Sequence, residues 1–367
     1  MRYRDALIVG VLYLFFLFIQ FHRIFPSPLF SSSTIMTDLA MTAGTAGLLF
    51  SIYFLSYAFI QPVSGIMADR FGGRFVLLLS GGFFVGGSFL FAFSENLGFA
   101  LFARILIGLG AGAMFISVVQ TISSIFSTRG FPYAFGFLEV VGRVGFFTAV
   151  FFIPMFLETL KWQTITLYVS ILILVLIIAY MVLIKVDGNK DKKKEDVVKN
   201  SDSTDKEKIK ILDAFRIKGY LPLFFAFFFN YAVAIGIVSW LPKMSLDIFS
   251  VEASDVGIFT SFYPIGGMVG FALMGFFADR VFSKRKPILI LSYLATSLAV
   301  MALVLSITMG KFYPPIFASA IFSIGLFSAL SAIAIVMGKE LVSPKVVGTI
   351  IGTLNIAPIL GGSIIPW

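Results

Sequence analysis

Long apolar runs separated by short polar turns make up most of this chain, and that pattern predicts its fold class. A helix that crosses a bilayer needs roughly 20 apolar residues. Eleven runs meet this requirement, at about 6–30, 43–67, 75–93, 98–127, 133–157, 162–184, 219–241, 255–278, 287–308, 314–337 and 346–366. A polar stretch at 185–218, rich in Asp, Lys, Asn, Ser and Glu, separates the first six from the last five.

This division predicts the domain organisation of an all-α, multi-pass membrane protein. We expect an N-terminal six-helix bundle at 1–184, a cytoplasmic polar linker at 185–218 and a C-terminal bundle at 219–367, in which five helices are present. The composition of the linker predicts a flexible or partly helical segment.

A sequence repeat relates the two halves. The turn after the second run reads Gly65-Ile-Met-Ala-Asp69-Arg70-Phe-Gly72-Gly73-Arg74, and the turn after the eighth reads Gly275-Phe-Phe-Ala-Asp279-Arg280. The match continues upstream without a gap, pairing Ser51 with Ser261 and Tyr53 with Tyr263. A repeat of this length, with a charged turn after an apolar helix in each copy, predicts two pseudo-symmetric helix bundles.

Composition agrees with a lipid environment. The chain is 59% hydrophobic and 13% charged, whereas a soluble domain is about half apolar and a quarter charged. The net charge of +9 does not predict a nucleic-acid partner, because the basic residues lie in short loops between apolar runs. The absence of cysteine excludes disulfides, zinc–thiolate sites and thiol catalysis.

The basic residues also predict the orientation. They concentrate in the two charged turns and the linker, whereas the loops on the other side contain Lys161, Lys243 and Lys311. By the positive-inside rule the N-terminus is cytoplasmic. We expect a monomer in the plasma membrane of a prokaryote.

The first charged turn resembles the G-x-x-x-D-R-x-G-R loop between the second and third helices of the major facilitator superfamily of secondary transporters. The family has a weaker copy between the eighth and ninth helices, and here that copy has Phe282 and Ser283 in place of the later glycines. The resemblance covers essentially the whole chain and implies twelve helices in two bundles of six. Because the chain has eleven runs and stops at Trp367, we expect that a twelfth helix is missing through truncation.

The resemblance also implies a gating role for the charged turns. Asp69 is expected at the inner surface against the start of the eleventh helix, and Asp279 against the start of the fifth, where the helix dipole is positive. The predicted gating residues are Gly65, Asp69, Arg70, Gly72, Arg74, Asp279 and Arg280.

Ionised side chains inside the bilayer are costly, so they are candidates for function. Arg23, in the first run, could clamp a carboxylate or phosphate from the central cavity. Alternatively, the first helix ends near Phe25 and Arg23 extends to the outer headgroups. Glu139 and Arg143 share a helix face in the fifth run. They form either a structural ion pair or a site where Glu139 exchanges Arg143 for a proton while Arg143 holds an anion.

Two further residues are candidates for proton coupling, together with Glu139. His22 is the only histidine and could accept a proton near pH 6.5, or it could be interfacial. Arg104, which precedes Gly108, Gly110 and Gly112, resembles the arginine of the family's fourth helix. That resemblance implies either structural support or a part in proton movement.

Neutral polar residues in the remaining runs are candidates for lining the binding site. Together with Arg23 and Arg143, the predicted substrate-binding residues are Tyr57, Gln61, Asn230, Tyr231, Tyr263 and Asn355. The seventh run ends in Trp240-Leu241-Pro242, which resembles the organic-anion symporter branch of the family. Gly142-Arg143-Val144-Gly145 replaces the glycine–proline signature of the drug/proton antiporter branch.

These observations predict an alternating-access transporter that takes up a small organic anion, of carboxylate or sugar-acid type, with a proton. Two alternatives remain: a proton-driven exporter of drugs or amphipathic metabolites, and a membrane sensor without transport. The sequence does not predict an enzyme, because it offers no nucleophile–base pair, metal cluster or phosphate-binding loop. We expect no metal and no cofactor.

Overall fold

The computed structural model describes residues 3–31, 33–71, 73–126, 130–185, 215–248, 250–280, 285–309, 313–341 and 347–364, and these residues are almost entirely helical. The first half contains α1 (Tyr3–Ile24), α2 (Pro26–Ser31), α3 (Ser33–Asp38), α4 (Ala43–Phe71), α5 (Gly73–Ala92), α6 (Leu97–Ile125), α7 (Phe131–Leu157) and α8 (Trp162–Lys185). The second half contains α9 (Tyr220–Asp247), α10 (Ala253–Arg280), α11 (Lys286–Thr308), α12 (Pro314–Leu330), α13 (Ile333–Glu340) and α14 (Val347–Ile364).

The prediction of a multi-pass, all-helical membrane protein is confirmed. Within the described ranges, ten helices are long and apolar enough to cross a membrane. The first of them combines α1 and α2, and the tenth combines α12 with the start of α13. The eleventh predicted run forms α14, in which a shorter apolar helix is described at Leu354–Ile364. Most of the predicted linker lies outside the described residues, so the domain boundaries stay a prediction.

The helices pack as two bundles, and several helix pairs connect the bundles. In the first half, α1 packs on α7 and α8, and α6 packs on α4 and α5. In the second half, α10 packs on α12 and α9 packs on α14. The halves contact each other where α7 meets α10, where α4 meets α14, and where the short α2 meets α9.

Glycines allow the helices to approach closely, which is how apolar helices associate in lipid. A Cβ at Gly145 of α7 would collide with the backbone of Leu17 in α1. Gly142, one turn earlier, faces the side chains of Phe16 and Gln20. Gly136 of the same helix faces open space. Gly142 and Gly145, in the middle of α7, therefore allow the close contact with α1, whereas Gly136 takes no part in it.

Prolines leave specific backbone carbonyls without a helical partner. A proline has no N–H, so the carbonyl four residues earlier loses its hydrogen bond, and inside a bilayer that carbonyl needs another donor. In three places a side chain of another helix supplies it: His22 O accepts from Arg104 Nη1 at 2.9 Å, Val150 O from Thr260 Oγ1 at 3.2 Å, and Val238 O from Ser27 Oγ at 2.9 Å. The prolines four residues later are Pro26, Pro154 and Pro242.

Helix α9 extends beyond the seventh predicted run, at 219–241. The sequence predicts an end at 241, but α9 continues through Pro242 to Asp247. The ion pair between Lys243 Nζ and Asp247 Oδ2, 2.9 Å long, joins residues one turn apart in this extension. Since the Ser27 hydroxyl satisfies the carbonyl that Pro242 frees, the helix can tolerate the proline.

We predict that Gly145→Ala destabilises the protein and Gly136→Ala does not. The added methyl at 145 would displace α1 at a cost of about 1–3 kcal/mol, whereas at 136 it has room. Thermal unfolding of the purified variants in the same detergent measures the difference. Equal midpoints for the two variants would contradict the close α1–α7 packing.

Candidate functional site

Arg23 lies next to the end of α1, where Pro26 interrupts the first membrane span. Its guanidinium carbon is 5.1 Å from the centroid of the Tyr57 ring and 5.8 Å from that of Phe54, both on α4. These are cation–π distances. The helix ends where the alternative interpretation expected, and the guanidinium lies over rings of α4. The binding role of Arg23 stays a prediction.

Tyrosines from both halves lie near Arg23. Tyr53 and Tyr57 of α4 and Tyr231 of α9 are close enough to interact with it electrostatically. The Tyr53 hydroxyl donates a hydrogen bond to the carbonyl of Ile19, at 3.2 Å. Arg23 Nε is buried and makes no hydrogen bond to any described residue. The guanidinium thus retains donor capacity at a place where the two halves meet.

Arg143 lies on α7 where that helix faces α10. Its side chain is 5% exposed, and its guanidinium carbon is 4.9 Å from the centroid of the Phe271 ring. Gly267 of α10 lies beside it, and a Cβ there would make an ordinary contact of 3.5 Å with Arg143 Cδ. The Tyr263 hydroxyl is an electrostatic neighbour of Arg143, and the Tyr263 ring packs on Phe146 at 5.4 Å. The second guanidinium therefore lies against an aromatic ring too, and here the ring belongs to the opposite half.

Glu139 interacts with both arginines. Its carboxylate is an electrostatic neighbour of Arg143 first and of Arg23 second, and it is half-buried. Among the described side chains, Glu139 and Arg143 do not approach within the 4.0 Å of a direct ion pair. The structure thus brings together two cations from α1 and α7 and one carboxylate that serves both.

The neutral candidates are distributed more widely. Gln61 is buried on α4, and its Nε2 has no partner among the described residues. Asn230 Oδ1 accepts a hydrogen bond from Ser331 Oγ at 3.2 Å, which ties it into the C-terminal bundle. Asn355 is half-buried on α14. Of the neutral candidates, Tyr57, Tyr231 and Tyr263 join the charged cluster.

His22 points in a different direction from Arg23. It is fully buried, and its Nε2 is 3.2 Å from Ser88 Oγ of α5, which is 2.7 Å from Ser170 Oγ of α8. The Phe84 and Phe25 rings pack around it. His22 is therefore enclosed within the N-terminal bundle, and its part in proton coupling stays a prediction.

Arg104 connects three helices next to the site. Its side chain is fully buried and donates to the carbonyls of His22, at 2.9 Å, and Leu49, at 3.3 Å. Its guanidinium carbon lies 4.7 Å from the centroid of the Tyr53 ring. These contacts join α1, α4 and α6 near Arg23, as a supporting role for Arg104 would require.

The gating residues are described only in part. Arg70 is exposed at the end of α4, and Gly65 faces open space on the same helix. Arg74, at the start of α5, is an electrostatic neighbour of Tyr180. Gly72 and the side chains of Asp69, Asp279 and Arg280 lie outside the described residues, so their gating contacts stay predictions.

Sequence reasoning missed the aromatic side chains that support the arginines. Phe54 and Phe271 lie under the guanidiniums, and Tyr53 connects Arg104 to the cluster. One signal was available for Tyr53, since the repeat pairs it with Tyr263, and both tyrosines lie beside an arginine. The 45 phenylalanines of the chain gave no comparable signal for the two phenylalanines.

Comparison with known proteins gives one family and two kinds of relative. The family model for the Major Facilitator Superfamily matches residues 11–366. The hexuronate transporter of Bacillus subtilis (strain 168) is 25% identical over 260 residues, which are 70% of this chain and 61% of that protein. The quinolone resistance protein NorA of Staphylococcus aureus (strain Mu50 / ATCC 700699) is 27% identical over 111 residues, 30% of this chain and 29% of that protein. The matched part is thus less than two thirds of either relative.

Solved structures share the fold. A bacterial homolog of the human lysosomal transporter Spinster, in an inward-facing and unoccupied conformation, superposes with a TM-score of 0.76 at 15% identity, over 100% of this chain and 82% of that one. The occupied, inward-facing form gives a TM-score of 0.72 at 16% identity, over 100% and 81%. Two bundles in the arrangement of a major facilitator fold are therefore confirmed.

We predict that Arg104→Gln destabilises the protein, whereas substitution of an exposed residue does not. The change leaves the His22 carbonyl, which Pro26 has freed, without its donor, and a buried unsatisfied group costs about 1–3 kcal/mol. Thermal unfolding should show the loss, with the exposed Lys161→Gln as the control. An unfolding midpoint like that of the control would show that the Arg104 hydrogen bonds do not stabilise the protein.

Proposed function

The chain belongs to the Major Facilitator Superfamily, and from this premise we propose that it carries a small organic anion across the plasma membrane of a prokaryote by alternating access. The observation that supports the proposal is the pair of guanidiniums, Arg23 and Arg143, in the space between the two halves. Each lies on an aromatic ring and interacts with side chains of the opposite half.

The charges of the cluster favour an anionic ligand. Two guanidiniums and the single carboxylate of Glu139 leave an excess positive charge among the described members of the cluster. An uncompensated cation within a membrane protein is costly unless a partner or water reaches it. A substrate carboxylate would complete the charge balance, and a guanidinium binds a carboxylate through two parallel hydrogen bonds.

The aromatic neighbours favour a small hydroxylated acid. The phenols of Tyr57, Tyr231 and Tyr263 lie near the guanidiniums and can donate to or accept from substrate hydroxyls. The relative from Bacillus subtilis is named a hexuronate transporter. We therefore propose a sugar acid or a similar carboxylate as the substrate class.

Proton coupling is best supported at Glu139. Its carboxylate faces both arginines, so protonation would release them to bind a substrate anion. His22 faces Ser88 inside the N-terminal bundle, and Arg104 is held by two carbonyls. We propose that Glu139 carries the proton and that uptake follows the proton gradient.

Drug export is the second candidate. The match to NorA supports it, as do the apolar rings of Phe54 and Phe271 beside the guanidiniums. The positive charge of the cluster opposes cationic drugs but accepts acidic ones. Everted vesicles distinguish the two directions, and a sensor without transport would bind ligand but show no flux.

We predict that Arg23→Gln and Arg143→Gln each reduce sugar-acid binding by about 10–100-fold, because each removes charge-assisted hydrogen bonds worth roughly 1.5–3 kcal/mol. Glucuronate uptake into proteoliposomes measures the effect on transport, and thermal stabilisation by glucuronate measures binding. Lys161→Gln is the matched control. Wild-type uptake by both arginine variants would reject the proposed site.

We predict that Glu139→Gln abolishes glucuronate accumulation driven by a proton gradient but retains exchange of internal for external glucuronate. The amide cannot release a proton, whereas exchange requires no net proton movement. Both assays use the same proteoliposomes, and the exposed Glu95→Gln is the control. Accumulation by Glu139→Gln at the wild-type rate would assign the proton to another group.

A further inference from the structure

Two of the carbonyls that prolines free are capped across the boundary between the halves. Val238 of α9 belongs to the C-terminal half and is capped by Ser27 of the N-terminal half. Val150 of α7 belongs to the N-terminal half and is capped by Thr260 of the C-terminal half. Each half thus supplies a hydroxyl donor to a carbonyl of the other half that has no helical hydrogen bond.

The Ser27 contact is buried and has an aromatic pair beside it. Ser27 Oγ lies 2.9 Å from Val238 O, and both residues are at most 2% exposed. Alongside, the Phe30 and Trp240 rings pack at a centroid distance of 5.6 Å. Burial shields this carbonyl from solvent while the two helices stay together, so its hydrogen bond depends on the contact between α2 and α9.

The Thr260 contact is shared. The Thr260 hydroxyl has one hydrogen and lies 3.2 Å from Val150 O, but also 2.8 Å from Val256 O in its own helix. It therefore caps Val150 in part. The two backbones are close at this level, because Gly257, one turn away, leaves no room for a Cβ against the carbonyl of Phe151.

Both contacts lie in the same half of the membrane. With the N-terminus in the cytoplasm, α7 and α9 run outward, so Val150 and Val238 lie beyond Glu139 and Tyr231 toward the outer face. The predicted gating turns, by contrast, lie at the inner surface. The prolines therefore place two unsatisfied carbonyls where the halves must separate to open outward.

We propose that Ser27 and Thr260 form a latch that holds the outer side closed. Separation of the halves removes each hydroxyl from its carbonyl, and since Pro242 and Pro154 lack an N–H, only water can replace it. Outward opening is thereby coupled to hydration of the two carbonyls. The latch concerns the conformational equilibrium and does not depend on the nature of the substrate.

The test measures the population of the outward-open state. The chain contains no cysteine, so spin labels at Glu95→Cys and Met309→Cys, on exposed outer positions of the two halves, report their separation in nanodiscs. Ser27→Ala should raise the ratio of open to closed molecules about three- to tenfold. Thr260→Val should raise it by about two- to threefold, since its hydrogen is shared.

Matched controls separate the latch from general effects of losing a hydroxyl. Ser239 and Thr296 are equally buried but donate within their own helices, to Gly236 O and Ser292 O. Ser239→Ala and Thr296→Val should leave the distance distribution unchanged. Ser27→Thr, which keeps the hydroxyl, should also behave like the wild type. If Ser27→Ala does not fold, Thr260→Val in the same labelled protein carries the test.

A double-mutant cycle tests the role of the proline directly. Pro242→Ala restores an N–H for the Val238 carbonyl, so Ser27→Ala should have little further effect in that background. An equal effect of Ser27→Ala with and without Pro242 overturns the latch, as does an unchanged distribution in both hydroxyl variants. A single distance in every variant and substrate condition overturns alternating access as well.

Discussion

The interior of a bilayer offers no water to a backbone carbonyl, and this constraint organises the protein. A regular helix satisfies its own carbonyls, so ordinary apolar spans could pack in many ways. Prolines remove that freedom locally. The carbonyls of His22, Val150 and Val238 each find a side-chain donor on another helix, which fixes how α1 meets α6 and how the halves meet each other.

The same constraint applies to the ionised side chains. Arg104 donates to two carbonyls within one bundle and lies on the face of Tyr53, although its Nη2 has no partner among the described residues. Arg23 and Arg143 lie on aromatic rings where the halves meet, each with a buried Nε that has no partner among the described residues, and both interact with Glu139. The three cations therefore differ in position, because Arg104 is enclosed in one bundle and the other two lie between the halves.

The site and the outer contacts lie on the same helices. Arg143 and Val150 are both on α7, about two turns apart, and Tyr263 and Thr260 are on the facing stretch of α10. Arg23 is followed by the helix break and then by Ser27 in α2. In the proposed mechanism, a ligand that draws the two arginines toward one carboxylate would act on the same helices that carry the Ser27 and Thr260 contacts, which would link binding to alternating access.

Much of this followed from the sequence. The lengths of the apolar runs determined the helices, the repeat of Asp69-Arg70 at Asp279-Arg280 determined the two halves, and the cost of charge in lipid identified Arg23, Arg104, Glu139 and Arg143 as exceptional. Which way each residue faces was decided only by tertiary structure. These helices are apolar on every side, so periodicity does not reveal which face meets a neighbour and which meets lipid. His22 and Arg23 are neighbours in sequence, but His22 faces the buried Ser88 and Arg23 faces the space between the halves. Likewise, the Val238 carbonyl accepts its hydrogen bond from Ser27, which lies in the other half of the chain.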